Sequence, residues 1–284
     1  MSRLAEKFEE LKNKNEKALV AFYVGGDPNL EISKEALEVI ANIADIVEIG
    51  IPFSDPVADG PTIQKADVRA LNKGMNPLKA FELVKELDEK APNTPKVFLT
   101  YYNIIFNMGE EEFVKRCKEC GIDGLVVPDL PIEEAESLYN ICKKYGVDLI
   151  FLVAPTTPDE RLKRILEKCS GFVYVVSVTG ITGVREKVQE ETKELVKRVA
   201  RYSNVPICVG FGISKREHVE EITQYADGAI VGSAIVRIVE KYLDENGEIK
   251  DKEAFLRELE EFVKELKEGT KQKILVKNKV KTKK

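Results

Sequence analysis

Eight short apolar runs rich in β-branched residues, each followed by a segment with apolar residues at helical spacing, predict an α/β protein of the (β/α)8 barrel type. An extra N-terminal helix precedes this TIM barrel. The length, 284 residues at 43% hydrophobic content, fits one such barrel as a single catalytic domain over 1–269. A third observation is positional: glycines cluster after the sixth, seventh and eighth runs, where a barrel of this kind builds its site.

An amphipathic helix, Leu4 to Leu11, opens the chain and leads into the strand Ala18 to Val24, closed by the turn Gly25-Gly26-Asp27-Pro28. A helix from Leu30 to Ile43 precedes the second strand, Ile46 to Gly50. A long loop follows, then helical spacing over Ile63 to Leu71 and Pro77 to Leu87. Next come strand Val97 to Tyr101 and helix Glu111 to Cys120, strand Leu125 to Val127 and helix Glu133 to Tyr145, then strand Leu149 to Leu152 and helix Pro158 to Cys169. The chain continues with strand Phe172 to Ser177 and helix Val188 to Tyr202, then strand Ile207 to Val209 and helix Lys215 to Tyr225. Strand Ala229 to Val231, helix Ser233 to Tyr242 and a last helix, Lys252 to Leu266, complete it.

The charged fraction is 33%, with no Trp, a composition that leans toward a thermophile. The first residues are charged and helical rather than a signal peptide, and no apolar run approaches the ~18 residues that span a bilayer. A cytoplasmic protein is expected, with no membrane partner. Five cysteines without a framework fit reduced thiols. Cys117 and Cys120 spell C-x-x-C, but just before the expected helix-ending Gly121 rather than at a helix N-terminus, where thiols become reactive. Zinc would need two further ligands, and His218 is the only histidine, so no metal is expected. Net charge is -5, and the last fifteen residues carry seven Lys and no acid. Residues 270–284 therefore read as a solvated basic tail on an acidic body, without a nucleic-acid partner.

The second strand carries one carboxylate, Glu48, among apolar residues. Alternation puts Glu48 on one face with Ile46 and Gly50, and Val47 with Ile49 on the other. If the first face looks into the barrel, an acid stands near the strand's C-terminal end, and desolvation should raise its pKa toward neutrality. Eleven positions later, in a loop of turn residues, comes Asp59. Two carboxylates at one strand end suit proton transfer, although Asp59-Gly60 is also an ordinary turn. Gly210-Phe-Gly-Ile-Ser214, Gly232-Ser233 and the segment Thr179-Gly-Ile-Thr-Gly183 follow the last three strands. Backbone N–H groups and a helix N-terminus there can hold a phosphate, and the hydroxyl-rich segment can close over it. Phe22, Tyr101, Tyr174 and Phe211 offer aromatic walls. A Schiff-base aldolase would need a lysine at these strand ends, and Lys96 lies at the opposite end of its strand; histidine-based chemistry lacks its parts.

The stretch Val47-Glu-Ile-Gly-Ile-Pro-Phe-Ser-Asp-Pro-Val-Ala-Asp-Gly-Pro-Thr-Ile-Gln64 resembles the signature of the tryptophan synthase alpha chain family. Phe22 to Pro28, Thr100-Tyr-Tyr-Asn103, Pro128-Asp-Leu-Pro131, Tyr174 to Gly183 and Gly210 to Ile213 fit the same family in order. The resemblance implies retro-aldol cleavage of indole-3-glycerol phosphate to indole and glyceraldehyde 3-phosphate. It implies Glu48 as the acid/base at C3 and the glycerol hydroxyl, and Asp59 as the acceptor from the indole N–H. Thr182 would position Asp59, while Gly183, Gly212, Gly232 and Ser233 would cradle phosphate beside Phe22 and Tyr174 at the ring. It further implies a beta chain partner in an alpha2beta2 tetramer, faced by Asp55 and Pro56. Pyridoxal phosphate belongs to that partner, so no cofactor is expected here. Two departures stand out: some members carry Arg where this chain has Val178, and the tail extends past the usual end. Competing readings are a neighbouring phosphate barrel, such as an indole-glycerol phosphate synthase or phosphoribosyl isomerase, and a silent regulator of a beta chain.

Overall fold

The computed structural model describes residues 1–177, 185–210 and 212–271. Among the described residues nine strands, all parallel, run β1 (Ala18–Val24), β2 (Ile46–Gly50), β3 (Lys96–Leu99), β4 (Gly124–Val126), β5 (Asp148–Ile150), β6 (Leu152–Val153), β7 (Val173–Val176), β8 (Ile207–Gly210) and β9 (Gly228–Val231). Their order in the sheet is β5-β4-β3-β2-β1-β9-β8-β7-β6. The two ends are neighbours in sequence. β5 and β6 are halves of the predicted fifth strand, interrupted at Phe151, whose carbonyl accepts from the Tyr174 N–H at 3.0 Å. The barrel thus closes through one residue, and nine segments make eight staves.

Twelve α-helices lie among the described residues: α1 (Arg3–Asn13), α2 (Leu30–Ala41), α3 (Pro61–Asn72), α4 (Pro77–Lys90), α5 (Tyr102–Met108), α6 (Glu110–Cys120), α7 (Glu136–Tyr145), α8 (Asp159–Lys168), α9 (Arg185–Ala200), α10 (Arg216–Ile222), α11 (Ser233–Lys241) and α12 (Lys252–Glu268). Boundaries fall where local chemistry sets them. Asn29 and Asn76 cap α2 and α4, their side chains accepting from the N–H groups of Ile32 and Lys79. Gly121 ends α6 at φ 105°, a conformation that disfavours other residues. The sequence does not predict α5. It is one short piece without a readable period, held where Asp129 accepts the Tyr102 N–H at 2.9 Å.

Alternation along the strands divides the core in two. Ala18, Val20, Ile46, Val97, Val126, Ile150, Cys208 and Ile230 fill the barrel interior, while the other faces pack under the helices in a larger cluster. Leu4, Phe8 and Leu11 of α1 join the interior cluster, and Phe8 meets Phe172 at a ring separation of 6.1 Å. The first helix is therefore the plug of the N-terminal end. Arg3 pins it there, reaching Asp88 and Asp123 at 2.8 Å each. At the same end Lys96 is buried against Asp88 and the Ala91 carbonyl. Past Gly269, the buried Thr270 accepts through its carbonyl from the Lys17 N–H, so packed chain continues to Lys271.

Candidate active site

The open face of the barrel holds a cavity of about 450 Å³. Glu48 enters it from β2, in register with Phe22 on β1 and Val97 on β3. Interior placement follows from the pleat: Ile46 points the same way two residues earlier and belongs to the interior cluster. Glu48 is 2% exposed, and its Oε2 has no hydrogen-bond partner. Burial, and then the charge of Asp59, raise its pKa to about 8. At neutral pH this carboxyl holds its proton. An unsatisfied buried polar atom is costly, and one facing a cavity at the catalytic end of a barrel marks a position kept for a ligand.

Asp59 reaches the same cavity from the loop between β2 and α3. Its backbone is fixed on both sides: its N–H donates to the Pro56 carbonyl at 3.0 Å, and its carbonyl accepts from Gln64 Nε2 at 2.7 Å. The Tyr101 hydroxyl donates to Asp59 Oδ2 at 2.8 Å and accepts from the Ala58 N–H at 3.0 Å. Phe53 stacks on the Tyr101 ring at 5.3 Å. Burial raises the Asp59 pKa and the Tyr101 bond opposes that rise.

Phe22 and Tyr174 form walls of the cavity, and both lie across glycines. A Cβ on Gly50 would stand 2.8 Å from the Phe22 ring, and one on Gly210 would stand 2.6 Å from the Tyr174 ring. The missing side chains are what let the rings lie down beside the cavity. Gly212, Gly232 and Ser233 line it where β8 and β9 end, and Ser233 opens α11. Seven of the nine residues expected from the sequence thus meet at one cavity. The other two, Thr182 and Gly183, together with Val178 and Phe211, lie outside the described residues.

Sequence reasoning missed several parts. Tyr101 was expected only as a wall, and its bond to Asp59 could not be read before the loop was placed. Asp67 of α3 is buried, with a pKa raised to about 8 by burial and by Asp59, although the Phe53 N–H donates to it. It sits among apolar residues at helical spacing, which was the available signal. Arg237 also lines the cavity.

The remaining candidates sit elsewhere. Cys117 and Cys120 are buried, which holds both thiols high, Cys120 at about 12. His218 is buried in α10 and accepts the Ser214 N–H at 3.0 Å. Among the described residues no group of three His, Cys, Asp or Glu is placed to hold a metal ion, and no helix is long and apolar enough to cross a membrane.

Residues 8–271 match the family model for the tryptophan synthase alpha chain. A tryptophan synthase alpha chain of Methanocaldococcus jannaschii is 83% identical over 278 residues, covering 97% of this chain and 99% of the relative. That of Methanosarcina barkeri is 48% identical, covering 87% and 93%. A crystal structure of the tryptophan synthase alpha subunit from Legionella pneumophila superposes with a TM-score of 0.86 at 30% identity, covering 95% of this chain and 98% of that one. A tryptophan synthase structure from Mycobacterium tuberculosis gives 0.85 at 34% identity, covering 96% and 99%. With a family model spanning nearly the whole length and close relatives matched end to end, this chain belongs to the tryptophan synthase alpha chain family.

Proposed function

We propose that the cavity cleaves indole-3-glycerol phosphate to indole and glyceraldehyde 3-phosphate, a carbon-carbon lyase reaction, with Glu48 and Asp59 as its catalytic residues. Glu48 carries the reading: a buried, neutral carboxyl with an unpartnered oxygen, facing a cavity of substrate size. Its proton goes to C3 of the indole ring, turning the ring into a cationic indolenine. Asp59, ionised, accepts a hydrogen bond from the ring N–H and stabilises that cation. Glu48, now a carboxylate, takes the proton of the glycerol hydroxyl next to the ring. The oxygen's electrons form the aldehyde, the bond to C3 breaks, and its electron pair returns to the ring as neutral indole. The ring is its own electron sink, so neither a Schiff base nor a cofactor is needed, and pyridoxal phosphate is assigned to the beta chain. Each proton transfer is worth ~10² to 10⁴ in rate.

Phe22 and Tyr174 flank the ring. The phosphate sits at Gly212, Gly232 and the Ser233 start of α11, where N–H groups and the helix dipole favour an anion, with Gly183 and Thr182 completing the cup and holding Asp59. An alpha chain works with a beta chain; an alpha2beta2 tetramer is proposed here. Exposed Asp55 and half-buried Pro56, with Val57 and Phe106 exposed at 76% and 66%, supply a docking rim with apolar parts beside the catalytic loop. The chain acts in the cytoplasm, its catalytic domain followed by a basic stretch that from Gln272 on lies outside the described residues. Indole release by the purified chain, with and without its beta chain, tests the reading. Slow release that rises with the partner supports it; tight phosphate binding without indole under either condition refutes it in favour of a silent regulator or another phosphate barrel.

A further inference from the structure

Among the described residues three ionisable side chains line the cavity: the acids Glu48 and Asp59, and one cation, Arg237. Arg237 lies one turn after Ser233 on α11 and so on the same helix face. Its helical neighbours Ile235, Val236, Ile238 and Val239 are buried, while Arg237 is exposed. Helical side chains lean toward the N-terminus, which aims the guanidinium back over the turn that Ser233 opens. Arg3, Arg69, Arg198 and Arg216 each reach a carboxylate within 3 Å. Arg237 makes no ion pair or hydrogen bond among the described residues.

Charge balance gives this cation a task. A phosphate ester carries about -1.5 to -2 near neutral pH, and a helix N-terminus offers only about half a positive charge. The same cavity holds two acids, and the chain carries a net charge of -5. Neutral N–H donors at Gly212, Gly232 and Ser233 orient a phosphate without neutralising it. A planar guanidinium presents paired donors suited to phosphate oxygens.

We propose that Arg237 is the charge-selecting residue of the phosphate end, closing on the phosphate oxygens and discriminating a phosphorylated glycerol side chain from an unphosphorylated one. The inference rests on the proposed placement of phosphate at the start of α11. Arg237 is exposed on a helix whose buried positions stay untouched by its replacement, so Arg237→Gln folds as the native chain does.

The test compares the full-length chain with its Arg237→Gln and Arg237→Lys forms in two assays. One is steady-state cleavage of indole-3-glycerol phosphate with the beta chain present, at low and high salt. The other is direct calorimetric binding of inorganic phosphate, which needs no turnover. An exposed charge contact is worth up to about 1 kcal/mol, so the Gln form shows a KM and a phosphate Kd raised roughly fivefold, with kcat/KM falling in step. Its kcat/KM also loses part of its salt dependence, and Lys restores most of both. A phosphate Kd within error of the native value in the Gln form overturns the role of Arg237, as does a fall in kcat at unchanged KM. A native chain that binds phosphate but never releases indole refutes the lyase reading instead, and the calorimetric comparison still decides Arg237.

Discussion

The Tyr101 hydroxyl ties Asp59 to the loop that carries it, donating to the Asp59 carboxylate at 2.8 Å while accepting from the Ala58 N–H at 3.0 Å. The loop is thereby fastened at the C-terminal end of β3. Among acids whose pKa is raised, Asp59 has a donor that opposes the rise, whereas Glu48 has none. That bond favours the ionised form of Asp59, as a division between proton donor and ionised acceptor requires.

Tyr101→Phe removes that donor and leaves the ring stacked on Phe53. The lost bond to a charged group is worth about 1.5–3 kcal/mol, so kcat is expected to fall by tenfold or more. Asp59, relieved of the bond that lowers its pKa, then protonates at higher pH, and the acidic limb of the kcat/KM profile moves upward. An unmoved limb would show that the bond does not govern Asp59.

Glu48 also shapes stability. Its folded-state pKa of about 8 exceeds the ordinary 4.5, so the folded chain keeps a proton that the unfolded chain releases. The proton's stabilising effect is full below about pH 4.5 and is lost as pH rises to about 8. Glu48→Gln, which cannot titrate, is expected to be more stable than the native chain by a few kcal/mol at pH 9, the gap closing toward pH 5. Denaturant unfolding of both at pH 5, 7 and 9 checks this; a pH-independent gap would contradict the assigned burial.

The glycines beneath the aromatic walls make a steric prediction. Gly210→Ala places a methyl about where the Tyr174 ring now lies, 2.6 Å from its nearest atom, and the ring must swing into the cavity. The overpacking cost is about 1–3 kcal/mol, and KM for the indole substrate is expected to rise more than tenfold. Near-native KM would mean the ring has room elsewhere.

At the far end of the barrel, Leu4→Ala opens a hole in the plug formed by α1. Leu4 is fully buried, so a loss of about 2–5 kcal/mol is expected, with a lower urea midpoint and kcat near the native value. Equal losses of kcat and stability would mean that the plug and the site are one unit.

Much of this arrangement was legible in the chain because it is periodic. Alternation put Glu48 beside Ile46 on the inner face, and the run of strand and helix spacings gave the barrel. What stayed illegible depends on contacts between segments far apart in sequence. Phe151 breaks the fifth strand because that is where the sheet closes, α5 is stabilised by Asp129 rather than by its own period, and the Tyr101 bond spans 42 positions to Asp59. Arg237 reads as an ordinary exposed helical residue until the cavity places it beside Ser233. Roles for Glu48 and Asp59 came from motif resemblance, and geometry adds the reason Glu48 is neutral.

The most direct measurement is single-turnover cleavage of indole-3-glycerol phosphate by Glu48→Gln, with phosphate binding followed in parallel. The amide is nearly isosteric and cannot exchange the proton, so native phosphate affinity and a rate lower by ~10² to 10⁴ are expected. A rate close to native would contradict the assignment of Glu48 as the group that moves the proton.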